Sequence, residues 1–282
     1  MKTSNLSFRI FKDKMFQAGV IVFAAITILP LLVILFYIVR NGIAVIDWQF
    51  LTSLPKPVGE VGGGISNALV GTLMLVVIAC GIAIPLGVLS GIYLSEKKEG
   101  KLPYLVRLSV EILQGIPSIG IGIIAYAWIV ITLGTFSAFS GGIALSIMML
   151  PVIVRSTEET LRLIPDTLKE ASLSLGVPYY RTILKVILPA GASGIATGVL
   201  ISVARIAGET APLLFTAFGN PFMEFNVLKP VNSLPLLIFN YATSPYPEWH
   251  ALAWGASFVL VFFVLALNFF AKVVTRKWKV QF

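Results

Sequence analysis

The chain reads as an all-α polytopic membrane protein with six transmembrane helices, and three observations lead there. Of its 282 residues 57% are hydrophobic and only 12% charged, and its mean hydropathy of +0.92 lies outside the range of a water-soluble domain. Apolar runs near the length needed to cross hydrocarbon, about 20 residues, recur along it. Lys and Arg gather between alternate runs, which is the mark of a fixed orientation in a bilayer. One Cys and one His exclude a disulfide framework and argue against a metal or haem centre, so no cofactor is expected. The formal charge of +8 is too sparsely carried to suggest nucleic acid.

Taken in order, the first run is Ala18 to Val39, followed by a polar stretch with Asp47, Lys56 and Glu60. At about 22 residues it exceeds the apolar core of a secretory signal, so it reads as a retained span. The second runs from about Ile65 to Leu94 and stops at Ser95-Glu96-Lys97-Lys98-Glu99; the third starts near Leu108 and ends near Leu133. The fourth, Gly142 to Val154, is short and has to borrow a turn from either flank. The fifth covers roughly Gly191 to Phe218, and the sixth, Ala251 to Ala271, ends at Lys272. Residues 1–64 then form an N-terminal tail, first span and outer loop, 65–272 a core of five spans, and 273–282 a basic tail.

With sides alternating, 17 of the 21 basic residues fall before the first span, between Lys97 and Arg107, between Arg155 and Lys185, or after Ala271. Arg40, Lys56 and Lys229 lie on the other side, and Arg205 is left inside the fifth span. The positive-inside rule puts both termini and the 156–189 loop in the cytoplasm.

That loop divides itself into two helices. Pro165 and Asp166 suit a first helical turn, Leu168, Ala171, Ser172 and Leu175 share a face, Gly176 suits the left-handed C′ position, and Pro178 opens a second helix that runs into Pro189. Periodicity alone fits equally a pair of amphipathic helices lying on the bilayer surface. Glu170-Ala171-Ser172, three residues, Gly176, nine residues, then Val186-Ile187-Leu188-Pro189 resembles the EAA loop of permease subunits in ABC importers, with Ser172 for the second Ala and Val186 for Ile. The resemblance implies that Glu170, Ala171, Ser172 and Gly176 form a corner held by a separate ATP-hydrolysing subunit. Glu170 would meet a basic group there, Ala171 and Ser172 would allow close approach, and Gly176 would make the turn. The chain has no G-x-x-x-x-G-K-[ST] phosphate loop, so this reading leaves nucleotide chemistry to a partner.

Inside the fifth run stands Arg205-Ile206-Ala207-Gly208-Glu209-Thr210-Ala211-Pro212, which predicts Arg205 and Glu209 on one helical face. A charge near the bilayer centre costs about 2.5–3.5 kcal/mol on insertion scales, so it is expected to face a bundle interior or a wet path. Gly208 admits a neighbouring helix, and Pro212 frees backbone groups that can line a cavity. The pair either neutralises itself and fixes packing, or serves a ligand. A guanidinium suits an oxyanion, and a carboxylate accepts hydrogen bonds from a ligand that still carries protons. Inorganic phosphate answers both demands, whereas sulfate has no proton to give.

The segment Arg205 to Ala217 resembles the fifth helix of PstA-type permeases of bacterial phosphate importers, and Gly115-Ile116-Pro117-Ser118-Ile119 resembles their G-x-P-S-[IV] element. The likeness implies a type I ABC importer permease (MetI-like) architecture in the bacterial cytoplasmic membrane. It further implies a second, related phosphate permease as heterodimer partner, two copies of an ATP-binding subunit, and an extracytoplasmic phosphate-binding protein. Pro117 and Ser118 read either as a hinge or path lining, with Gly208 and Pro212, or as close packing through small residues. A permease for molybdate, tungstate or sulfate shares the loop. A non-translocating assembly subunit is a further possibility, and an intramembrane hydrolase lacks any paired nucleophile and base. Arg107 and Glu111 read as a local i,i+4 pair, and His250 beside Trp249 as an interfacial residue.

Overall fold

The computed structural model describes residues 6–60 and 62–276, so the first five residues and the tail beyond Arg276 lie outside the described residues. The order is α1 (Leu6–Gly42), α2 (Trp48–Thr52), α3 (Ser66–Glu96), α4 (Lys101–Gly115), α5 (Ser118–Ala125), a π-turn at Tyr126–Val130, α6 (Ile131–Leu133) and α7 (Ala138–Arg162). Then follow α8 (Asp166–Ser174), α9 (Tyr179–Thr182), a π-turn at Ile183–Ile187, α10 (Leu188–Ala207), α11 (Ala211–Leu214), α12 (Leu234–Ala242) and α13 (Pro247–Arg276). Among the described residues five stretches are long and apolar enough to cross a membrane, or six when the α4 to α6 stretch, bent within itself, is counted as one span.

The bundle is centred on α3, α7 and α10. Gly87 and Gly91 of α3 lie so close to α7 that a Cβ on Gly91 would stand 2.5 Å from Thr157 Cβ, and one on Gly87 2.7 Å from Ile153 Cγ2. Lipid tails are as apolar as the spans, so association here depends on close van der Waals approach, which these glycines permit. Their register rises together, Leu75 against Gly141 and Gly91 against Thr157, so α3 and α7 run in the same direction. α10 runs the opposite way, with Gly191 against Leu161 and Gly198 against Ser156. α1 stands apart: the side chains of its apolar stretch are unburied in this chain, and Gly42 fixes its end against Trp254 and Phe258 of α13.

Three expectations change. The third span is not one helix: the chain bends by 107° between the limbs Lys101–Gly115 and Ser118–Leu133. Pro117 has no N–H to continue the ladder and drives Ile116 to an extended conformation (φ −74°, ψ 128°), which ends α4 at Gly115. The fourth span borrows a turn before Gly142 as expected but two turns beyond Val154, where the charges pair locally, Arg155 with Glu159 at 2.9 Å and Arg162 with Glu158 at 2.8 Å, and the helix continues. Arg107 does not pair with Glu111. Its Nε donates to Glu158 Oε1 at 2.9 Å, and its terminal nitrogens donate to the carbonyls of Leu94, Lys97 and Lys98 at the end of α3. A cation at a helix C-terminus meets its unpaired carbonyls, so α3 is capped by a residue of α4.

Candidate functional site

α10 carries Arg205 in its last turn and ends at Ala207. Gly208 and Glu209 fold back, their N–H groups donating to Arg205 O and Ile206 O at 3.2 Å each, and the chain breaks before α11. The expectation of one helical face running through the fifth span is therefore corrected: Glu209 lies beyond the helix. Pro212 stands in the first turn of α11. Gly208 in the capping position and Pro212 four residues on form a stop signal, which the unbroken apolar run conceals.

The pair itself persists. Arg205 Nε is 3.7 Å from Glu209 Oε1, with the guanidinium side chain 52% exposed and the carboxylate side chain 19% exposed. That separation is too long for a tight charge-assisted hydrogen bond, so the guanidinium keeps donors to offer. Counting seven residues from Gly198 to Arg205, and seven back from the opposed Ser156, sets Arg205 about level with Met149, near the middle of α7. Arg205 therefore stands at mid-bundle on the open surface of this chain.

The broken end is braced from two sides. Pro117 precedes α5 and Ser118 begins it; one turn on, Gly122 faces Pro212, whose Cα would lie 2.7 Å from an added Cβ. The structure thus lays Pro212 on the helix that Pro117 and Ser118 start, while Gly208 is exposed at the end of α10. Beyond α11 the chain passes over the N-terminus of α7, where the N–H groups of Ser137, Ala138 and Phe139 donate to the carbonyls of Thr216, Lys229 and Val227 at 2.9, 3.0 and 2.8 Å. Helix-start donors without intrahelical partners are satisfied in this way. Phe218, held at φ 64°, stacks on Phe136 with ring centroids 4.6 Å apart. These supports come from residues 120 to 230, and no local spacing in the sequence announces them.

At the other end, α8 and α9 form the expected corner. α8 ends at Ser174, Gly176 adopts φ 76°, and Pro178 precedes α9. Glu170, Ala171 and Gly176 are exposed, with Leu175 83% exposed. Ser172 is buried instead, its hydroxyl 2.9 Å from that of Thr182, so it ties the two limbs of the hairpin together. Leu161, Ile164, Ile183, Ile187 and Ile195 form an apolar floor beneath. The second limb continues without a break from Tyr179 to Ala207. Pro189 is accommodated because Leu188 N–H reaches back five residues to Ile183 O in a π-turn, widening the helix where the ring needs room.

Comparison with known proteins agrees with this architecture. Residues 83–280 match the family model described as "Binding-protein-dependent transport system inner membrane component". A Yersinia pestis protein named phosphate transport system permease protein PstA is 41% identical over 87% of this chain and 84% of its own length. A probable PstA of Methanocaldococcus jannaschii is 38% identical over 92% of both. Among solved structures, a chain of a bacterial alginate ABC transporter superposes with a TM-score of 0.70 at 13% identity, over 97% of this chain and 98% of that one. A chain of the MetNI methionine ABC transporter in an inward-facing conformation gives 0.61 at 22%, over 77% and 95%. With the apolar spans, the EAA-like corner and these matches together, the chain belongs to the family of binding-protein-dependent transport system inner membrane components.

Proposed function

We propose that this chain is a permease subunit of an ATP-driven phosphate importer, forming half of the translocation path and coupled to a separate ATPase. One observation carries the reading: a half-exposed guanidinium beside a carboxylate, at mid-bundle, where the fifth span breaks. Phosphate near neutral pH is an anion that also donates hydrogen bonds, and Arg205 with Glu209 offers a partner for each property. The carboxylate also keeps the anion from being held too tightly, and passage requires binding weak enough for release. The relatives named PstA, of which this chain covers most, support the same substrate.

The site is completed by a second phosphate permease whose surface faces Arg205. Two ATP-binding subunits seat on the corner Glu170, Ala171 and Gly176, held in shape by Ser172, and an extracytoplasmic binding protein delivers the ion. ATP hydrolysis belongs to those partners, and this chain contributes no catalytic residue. Pro117, Ser118, Gly208 and Pro212 act as the hinge that lets the braced end of the fifth span move. The distribution of Lys and Arg supports both termini on the cytoplasmic side.

The test is uptake of radioactive phosphate into liposomes carrying the whole complex. Arg205→Gln abolishes flux while the subunits still copurify; full flux in that variant overturns the assignment. Molybdate, tungstate and sulfate are compared by transport-stimulated ATP hydrolysis, and stimulation by one of these in place of phosphate replaces the substrate but not the architecture.

A further inference from the structure

The corner is joined to the bundle by more than the continuous helix that follows it. At the C-terminal end of α3, Glu96 Oε2 accepts from both Lys169 Nζ of α8 and the Tyr179 hydroxyl of α9. Lys169 Nζ also donates to the Tyr179 hydroxyl at 3.2 Å and lies 4.9 Å from the centre of its ring. The three groups form a closed polar triangle in which Glu96 and Lys169 side chains are only 18% and 24% exposed. One residue pair further out, Lys98 and Asp166 stand 3.6 Å apart across the same gap, both largely exposed and contributing little. Beside the triangle is a cavity of about 610 Å³ bordered by Ser95, Arg162, Pro165 and Ile187. The tip of α3 is therefore not packed solidly against α8 there, and the polar contacts bridge an open space. Val88 and Ile92 of α3 reach the apolar floor deeper in.

The carbonyls of that same α3 end are gripped by Arg107, whose Nε holds Glu158 of α7. A displacement of the hairpin thus has two routes inward. One is the rod from Tyr179 to Ala207. The other runs through Glu96 into α3, and through Arg107 to α4 and α7.

We propose that Glu96 is a positioning residue that yokes the ATPase-docking hairpin to the second span through Lys169 and Tyr179, so that both spans move together in each cycle. The inference rests on the permease reading above and adds to it a transmission residue outside the docking surface and outside the ion path. Without the yoke, the hairpin follows the ATPase but α3 lags, and hydrolysis proceeds without delivery.

The experiment measures phosphate taken up per ATP hydrolysed in liposomes containing the full complex. Glu96→Gln keeps a neutral hydrogen-bonding side chain and is expected to lower that ratio roughly fivefold or more, the size of an ordinary coupling free energy, with the complex still assembled. The reversal Glu96→Lys with Lys169→Glu is expected to restore most of it, which a purely structural defect at either position does not predict. An unchanged ratio in Glu96→Gln, or a charge reversal no better than Glu96→Lys alone, overturns the proposal. If the wild-type complex moves a different oxyanion, the substrate reading fails, and the same ratio measured with that ion still decides the yoke.

Discussion

Glu224 shows how a single carboxylate shapes the loop outside the bundle. It accepts from the N–H groups of Asn226 and Phe225 at 3.0 and 3.1 Å and pairs with Lys229 at 3.3 Å. The Asn226 N–H, helped by Lys229 and Phe225 and opposed by desolvation, holds its carboxyl below the ordinary value of 4.5. A lowered pKa in the folded state means the ionised form orders the loop, so the ordering is complete above that ordinary value and is lost as pH falls through the lower folded one. Hydrogen exchange at Phe225 and Asn226, corrected for intrinsic rate, is expected to stay slow from neutral pH to about 4.5 and to quicken only below it. Glu224→Gln removes that pH dependence. At this scale the sequence is partly legible. Arg205 and Glu209 stand out because charges are costly in an apolar run, but that Glu209 lies past the helix end depends on how Gly208 and Glu209 fold back. Ser172 illustrates the opposite difficulty, since a small hydroxyl fits a docking surface and a buried hydrogen bond equally well.

Among the elements, α3 contains a matched contrast. Gly91 is pressed against Thr157 of α7, whereas a Cβ on Gly81 would meet nothing within 4 Å. Gly91→Ala is expected to destabilise the subunit by about 1–3 kcal/mol through overpacking, read as a lower melting temperature in detergent. Gly81→Ala should be neutral or stabilising by up to about 1 kcal/mol, the helix-propensity difference between the two residues. An equal effect at both positions contradicts the interface described here. The backbone path of the corner from Pro165 to Pro178 is legible because each signal is local: a proline fixes one φ, and a glycine permits one left-handed turn. The bent third span carries the same signal at Pro117, but an apolar run on both sides makes the break look like a tolerated proline. α12 escapes notice for a different reason. Its nine residues, capped by Ser233, are too few for a span and are fixed by long-range contacts such as Leu234 N–H to Thr72 Oγ1 at 2.9 Å.

For the whole molecule, the corner and the Arg205–Glu209 pair, the two proposed sites, lie at opposite ends of one uninterrupted helix, and the proposed partners fall accordingly. Glu170 is exposed beside the turn, away from the ion pair. Glu170→Lys is expected to leave folding and membrane insertion intact while lowering phosphate uptake by at least about tenfold, the loss that follows from about 1.4 kcal/mol of weakened docking. Normal uptake in this variant removes the corner from the energy path. The number of spans is legible because it follows from bilayer thickness. The segment from Gly208 to Tyr246 is not, because the fifth span stops at mid-bundle and the loop beyond is held by α5 and α7 rather than by its own pattern.

The unbroken run from Tyr179 to Ala207 has a consequence of scale. At roughly 1.5 Å per residue, Arg205 stands about 39 Å from Tyr179. A tilt of only about 10° at the base would sweep its guanidinium through roughly 7 Å, by the same helical rise, nearly twice its 3.7 Å separation from Glu209. If the corner is the ATPase contact and Arg205 meets the ion, as proposed, a small angular change at the first would be amplified into a full exchange of neighbours at the second.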